Sequence, residues 1–185
     1  MKKLNVSASL RKTVLAALMA ALCCVATMVI TIPTPLTGGF INLGDCFVLL
    51  SGWMLGAGYG FAAAGIGSAL ADILLGYAHY APGTFVIKGL MALVAALIFA
   101  AGRNGSKQRS YLFRLLGAIA AEAIMIAGYF GYAGLILGKS WAVALTSVPD
   151  NAFQVLIGIV ASFALCGMID LSASVRKAPE KEGGH

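Results

Sequence analysis

The chain has 185 residues, of which 60% are hydrophobic and only 11% charged, against about 25% charged in a soluble domain. Lipid is therefore the main solvent, and a chain of this length makes one compact unit rather than two domains. The formal net charge of +6 does not mark a nucleic-acid binder, because the basic residues cluster between apolar runs instead of lining one face.

A transmembrane helix needs about 20 mostly apolar residues. Six segments meet that requirement or nearly so: residues 11–32, 43–57, 58–76, 84–102, 111–137 and 148–170. The first follows Lys2, Lys3, Arg11 and Lys12, as a signal peptide's core follows its basic start. Its apolar run from Thr13 to Ile32 is too long for such a core, and bulky Leu22 precedes Cys23 where cleavage needs a small side chain. It reads as a retained membrane helix. The second segment is short, and Gly56, Gly58 and Gly60 predict a tight turn into the third. The fifth is long enough to tilt or to carry an ordered outer piece. Continuous rather than alternating apolar runs predict an all-α integral membrane bundle of six transmembrane helices, not a barrel. Residues 1–171 form that single membrane domain, and the polar, charged residues 172–185 read as a disordered cytoplasmic tail. Cys23, Cys24, Cys46 and Cys166 form no CxxC pair and read as small hydrophobes packed in helices.

Orientation follows from the basic residues. Lys2, Lys3, Arg11 and Lys12 precede the first span, Arg103, Lys107, Arg109 and Arg114 surround the fourth–fifth connection, and Arg176, Lys177 and Lys181 lie in the tail. With six spans all of these fall on one side, which predicts that both termini are cytoplasmic. The outer loops are then Pro33–Asn42, Tyr77–Gly83 and Gly138–Ser147.

Ionisable groups at membrane depth are costly, by about 2.5–3.5 kcal/mol at the bilayer centre, so each needs a partner or a purpose. Asp45, Asp72, Lys88, Glu122 and Asp150 stand out. Asp72 and Lys88 flank the same outer loop, each about 6 Å below a helix end. An Asp72–Lys88 ion pair is expected, either as a clamp on the hairpin or facing a ligand. Asp150, Asn151 and Gln154 enter the sixth span from outside on one helix face, where the positive end of the helix dipole adds to them. Asn42 and Asp45 enter the second in the same way, and Asp45 and Asp150 serve equally well as helix caps. Glu122, near the middle of the fifth span, either pairs within the bundle or floors a cavity. Tyr77, His79 and Tyr80 in the second outer loop would wall a pocket open to the outside or anchor the chain at the interface. His79 alone reads as a loop residue rather than a metal ligand.

Small residues recur at four-residue spacing: Ala16 and Ala20, Ala17 and Ala21, Gly52, Gly56 and Gly60, Gly134 and Gly138. Such faces let helices approach closely within the bundle, or offer a dock for another membrane subunit. The sequence carries no phosphate loop of the GxxxxGK type, no HExxH, no GxSxG and no paired metal ligands, so nothing in it points to an ATPase, an enzyme, a metal or a cofactor.

The run from Gly39 to Gly89 adds a resemblance. GFINLGD, GIGSALADILLGY and YAPGTFVIKG resemble the S-components of energy-coupling factor (ECF) vitamin transporters, in the riboflavin-type branch that includes carriers for hydroxymethylpyrimidine and pyridoxine. The resemblance implies a non-enzymatic binding protein in the prokaryotic cell membrane. Such a protein captures a small aromatic vitamin or precursor outside and docks on a transmembrane coupling subunit with two ATPase subunits. It also implies that the helix-1 face at Ala16, Ala17, Ala20 and Ala21 meets the coupling subunit. The candidate substrate-binding set is Asn42, Asp72, Tyr77, His79, Tyr80, Thr84, Lys88, Glu122, Tyr129, Asn151 and Gln154. A pyrimidine or pyridine alcohol suits this modest polar set, and riboflavin requires a larger pocket. The alternative is an autonomous secondary transporter of a small polar aromatic solute, with Glu122 or Asp72 carrying a coupling proton; the lack of an obvious inverted repeat counts against it.

Overall fold

The computed structural model describes residues 2–29, 31–34 and 39–177, with side-chain surroundings at 9–29, 31 and 41–169. Helix α1 (Lys2–Val29) leads to a two-stranded hairpin, β1 (Thr31–Thr34) and β2 (Gly39–Asn42). Helices α2 (Gly44–Leu55), α3 (Ala57–Leu74), α4 (Ala81–Gly102) and α5 (Lys107–Gly131) follow. A π-helical turn over Tyr132–Ile136 extends α5, and a short α6 (Trp141–Leu145) precedes α7 (Ser147–Lys177).

Local chemistry accounts for most of the boundaries. Pro82 sits in the first turn of α4, where a missing N–H is no loss. Ser106 caps α5 by accepting from the Arg109 N–H, and Ser140 caps α6 by accepting from the Val143 N–H. Gly56 takes φ +82° between α2 and α3, a conformation that a residue with a side chain rarely adopts. The expected tight turn is there.

Five helical stretches are long and apolar enough to cross a membrane: Ser9–Val29, Ala57–Leu74, Ala81–Gly102, Lys107–Ile136 and Trp141–Ile169. The sixth expected span is different. Helix α2 has 12 residues, about 18 Å of helix against a hydrocarbon core of about 30 Å. It runs parallel to α4, with Gly52 packed directly on the Ala92 carbonyl. The loop expected at 33–42 is also different, because its described parts pair as antiparallel strands with Thr31 opposite Asn42 and Thr34 opposite Gly39. Thr31, Ile32, Thr34, Phe40 and Ile41 are residues that favour extended backbone, and pairing satisfies backbone groups close to the bilayer. Residues 35–38 of that loop lie outside the described residues. Helix α7 continues to Lys177, into the segment expected to be a disordered tail, and residues 178–185, with Lys181, lie outside the described ones. So do the side chains of Lys2, Lys3, Arg176 and Lys177.

The core centres on α2 and α4. Val48, Leu49, Leu50 and Trp53 pack with Met91, Ala92, Ala95 and Phe99, and α5 adds Ala118, Ala121 and Met125. All four cysteines are buried, as expected of small packing residues. The outward faces are apolar: Val14 and Leu18 on α1, Leu97 on α4, Leu116 and Ile119 on α5, and Phe153, Leu156 and Val160 on α7 are exposed. In water such a surface would aggregate; against lipid tails it is the expected exterior.

Candidate functional site

The start of α2, the end of α3, the first half of α4, the second half of α5 and the start of α7 converge at one end of the bundle. Each brings a polar side chain. Lys88 on α4 forms a buried ion pair and hydrogen bond with Asp45 Oδ1 on α2. Gln154 on α7 donates to Asp45 Oδ2, so both oxygens of that carboxylate are occupied. The Gln154 carbonyl accepts from the Asn42 backbone N–H at 3.1 Å and from its side-chain amide at 3.3 Å. Asn42 Oδ1 in turn accepts from the Gly44 N–H at 2.8 Å. One glutamine thus ties the hairpin to α2 and α7. The thioether of Met125 on α5 completes the group, 3.2 Å from Lys88 Nζ and 3.4 Å from Gln154 Nε2.

A second branch lies beside the first. Tyr129 Oη on α5 donates to Thr84 Oγ1 on α4 at 3.0 Å, and Thr84 donates to Asp72 Oδ2 on α3. Lys88 Nζ lies 5.5 Å from the centroid of the Tyr129 ring, a cation–π contact that joins the two branches. Above them is an aromatic rim. Tyr80 lies 4.8 Å from His79, 6.5 Å from Tyr129 and 6.1 Å from Tyr132 between ring centroids, and Tyr77 stands 6.4 Å from His79. Tyr132 Oη donates to the His79 carbonyl at 2.9 Å, and Lys139 Nζ donates to Tyr80 Oη at 2.8 Å. These contacts close the α3–α4 loop against the end of α5.

The expected Asp72–Lys88 pair is replaced by Lys88–Asp45. Because α2 lies alongside α4, it delivers Asp45 directly to the ammonium, while Thr84, on the same first stretch of α4, takes Asp72. Asp45 therefore belongs to the buried network, which the cap reading overlooked; its place in GFINLGD, ahead of an apolar run, was the available signal. Met125 carried no signal at all. Asp150 lies inside the first turn of α7 rather than at its cap. Asn151 is half-buried one turn before Gln154 and takes no part in the network among the described residues.

Glu122 stands apart. It is 1% exposed, and both carboxyl oxygens are buried without a hydrogen-bond partner among the described residues. Gly158 on α7 makes room for it: a Cβ there would lie 2.8 Å from Glu122 Oε1 and 2.9 Å from Asp45 Cβ. Of the helix-1 alanines, Ala16 and Ala20 are half-buried and Ala17 and Ala21 exposed. Gly67 of α3 packs closely against the backbone of Ala20, so this part of the stripe serves the bundle itself.

Lipid-facing helices around an enclosed set of hydrogen-bonding and charged groups make this a multi-pass membrane protein. Comparison with known proteins then gives the family. Residues 7–170 match the profile described as ECF-type riboflavin transporter, S component, and the chain belongs to that family, whose members are transporter components rather than enzymes. It is 36% identical over 136 residues to an uncharacterized protein of the gap 3′ region of Pyrococcus woesei, covering 74% of this chain and 86% of the relative. It is 26% identical over 169 residues to the thiamine precursor transporter HmpT of Lactococcus lactis subsp. cremoris, covering 91% and 93% of the two chains. The fold matches a solved S component of a bacterial ECF transporter with a TM-score of 0.68, at 19% identity, over 91% of this chain and 99% of the other.

Proposed function

We propose that this protein is the substrate-capturing subunit of an ECF-type vitamin uptake system in a prokaryotic cell membrane. It takes a small aromatic vitamin or precursor from outside, of the hydroxymethylpyrimidine or pyridoxine type, with riboflavin the larger alternative. The observation that carries this reading is the convergence of Asn42, Asp45, Asp72, Thr84, Lys88, Tyr129 and Gln154 beneath the Tyr77–His79–Tyr80 rim. Family membership and the substrate class named for the Lactococcus relative support it.

In this reading both termini are cytoplasmic, and α2 with the hairpin stands where a sixth span was expected. The ring of the solute stacks among the rim tyrosines, and its polar edges exchange with hydrogen bonds of the network. The exposed strip of α1 at Ala17 and Ala21, continuous with half-buried Ala16 and Ala20, meets a transmembrane coupling subunit that two ATPases drive.

The test is uptake of labelled hydroxymethylpyrimidine or pyridoxine into proteoliposomes with and without the energising module. The reading predicts uptake only with the module and ATP. Uptake driven by an ion gradient through this chain alone would replace it with an autonomous transporter.

A further inference from the structure

Among the described residues, three buried carboxyls, Asp45, Asp72 and Glu122, accompany a single buried ammonium, Lys88. Lys88 is committed to Asp45, and Asp72 is served by the Thr84 hydroxyl. Glu122 has nothing. A buried carboxyl without a partner is costly, and positions that break a folding rule are where function is expected. Its place fits: it lies midway along the continuous stretch Lys107–Ile136, on the same helix as Tyr129 and Met125, and the bare Gly158 faces it.

We propose that Glu122 selects the substrate, and that the substrate presents a basic ring nitrogen beside an exocyclic amine, the edge of an amino-substituted N-heterocycle such as an aminopyrimidine. This deepens the uptake reading above and rests on it. The cluster is short of positive charge, and a protonatable ring supplies it. The two oxygens of a carboxyl sit side by side and engage two adjacent nitrogens in parallel hydrogen bonds. In this pair Glu122 is the carboxylate and the ring nitrogen is protonated, so both nitrogens donate and both oxygens accept. A pyridine alcohol offers one ring nitrogen without the neighbouring amine. A flavin imide flanks its single N–H with carbonyl oxygens that oppose a carboxylate. Because Glu122 is enclosed, the ligand reaches it only as α7, which carries Gly158 and Gln154, shifts away from α5.

The experiment is calorimetric binding to the full-length protein in detergent. The ligands are the hydroxymethyl aminopyrimidine, its counterpart with a carbonyl in place of the amine, pyridoxine and riboflavin. The proteins are the wild type, Glu122→Gln and Glu122→Leu, each also followed by thermal unfolding without ligand. The wild type is expected to prefer the amine over its carbonyl counterpart by about 100-fold. Glu122→Gln erases that preference, since an amide flips to match either edge. Glu122→Leu binds neither compound yet unfolds at the wild-type temperature or above, a combination a merely structural carboxyl would not give. Should the leucine variant fail to fold, the preference of the glutamine variant decides. A preference that survives in Glu122→Gln overturns the proposal. Tight binding of pyridoxine or riboflavin with weak binding of the aminopyrimidine overturns it while leaving the capture role standing. A folded wild type that binds none of the four removes both.

Discussion

Asp45 and Glu122 flank the same glycine, Gly158, and are treated in opposite ways. Around Asp45 each carboxylate oxygen has a donor, one charged and one neutral, and the donors are themselves bonded onward to Asn42 and Met125. Around Glu122 no donor is supplied among the described residues. Burial is the same in both, and so is the chemical group. Depth in the bundle therefore does not by itself decide how a buried carboxyl is bonded. A fully satisfied network fixes helices α2, α4 and α7 relative to one another, whereas the Glu122 oxygens stay open to a donor, which the proposed substrate would supply.

The largest effect that would break this contrast is loss of the ammonium. Lys88→Met leaves Asp45 as an uncompensated buried charge and is expected to cost about 3–5 kcal/mol, read as unfolding in detergent. Adding Asp45→Asn to that variant should recover most of the loss. If the double variant is no better than the single one, the pair is not the organising contact. Next comes Gln154→Ala, which strips one donor from Asp45 and the acceptor from Asn42. It is expected to cost about 2–3 kcal/mol and to make the 31–42 hairpin more open to proteolysis. Tyr129→Phe removes only the hydroxyl held by Thr84, so a loss of about 1 kcal/mol is expected, with weaker capture of the solute. The smallest effect on stability belongs to Ala17→Trp. This residue faces outward, so a change within about 0.5 kcal/mol is expected, while ATP-driven uptake is lost. If uptake survives with tryptophan there, the docking face lies elsewhere.

Much of this was legible in the sequence because the bilayer is a severe filter. Long apolar runs placed five helices close to where they are, and the cost of burying charge singled out Asp45, Asp72, Lys88 and Glu122 before any contact was known. What stayed hidden was pairing across distance. Asp72 and Lys88 are neighbours through a short loop, so loop geometry favoured them. The actual partner, Asp45, lies 43 positions from Lys88 and meets it only because α2 lies alongside α4. The shortness of α2 was legible, since the second segment was short and Gly56, Gly58 and Gly60 marked the turn that ends it, yet its 12 residues were still counted as one more span. The hairpin was missed because Pro33 and the nearby glycines outweighed Ile32, Phe40 and Ile41, whose extended preference prevailed. On helix 1, alanine spacing announced a close approach but not which helix makes it; Gly67 supplied that answer for Ala20.

The most direct test of the account is the identity of what the protein carries. Wild-type protein and the Gln154→Ala variant, purified from cells in rich medium as folded, monodisperse samples, would be denatured and the released small molecules quantified by mass spectrometry. The account predicts close to one small aromatic vitamin or precursor per wild-type chain and far less from the variant. Equal amounts from both, or none from either, would contradict it.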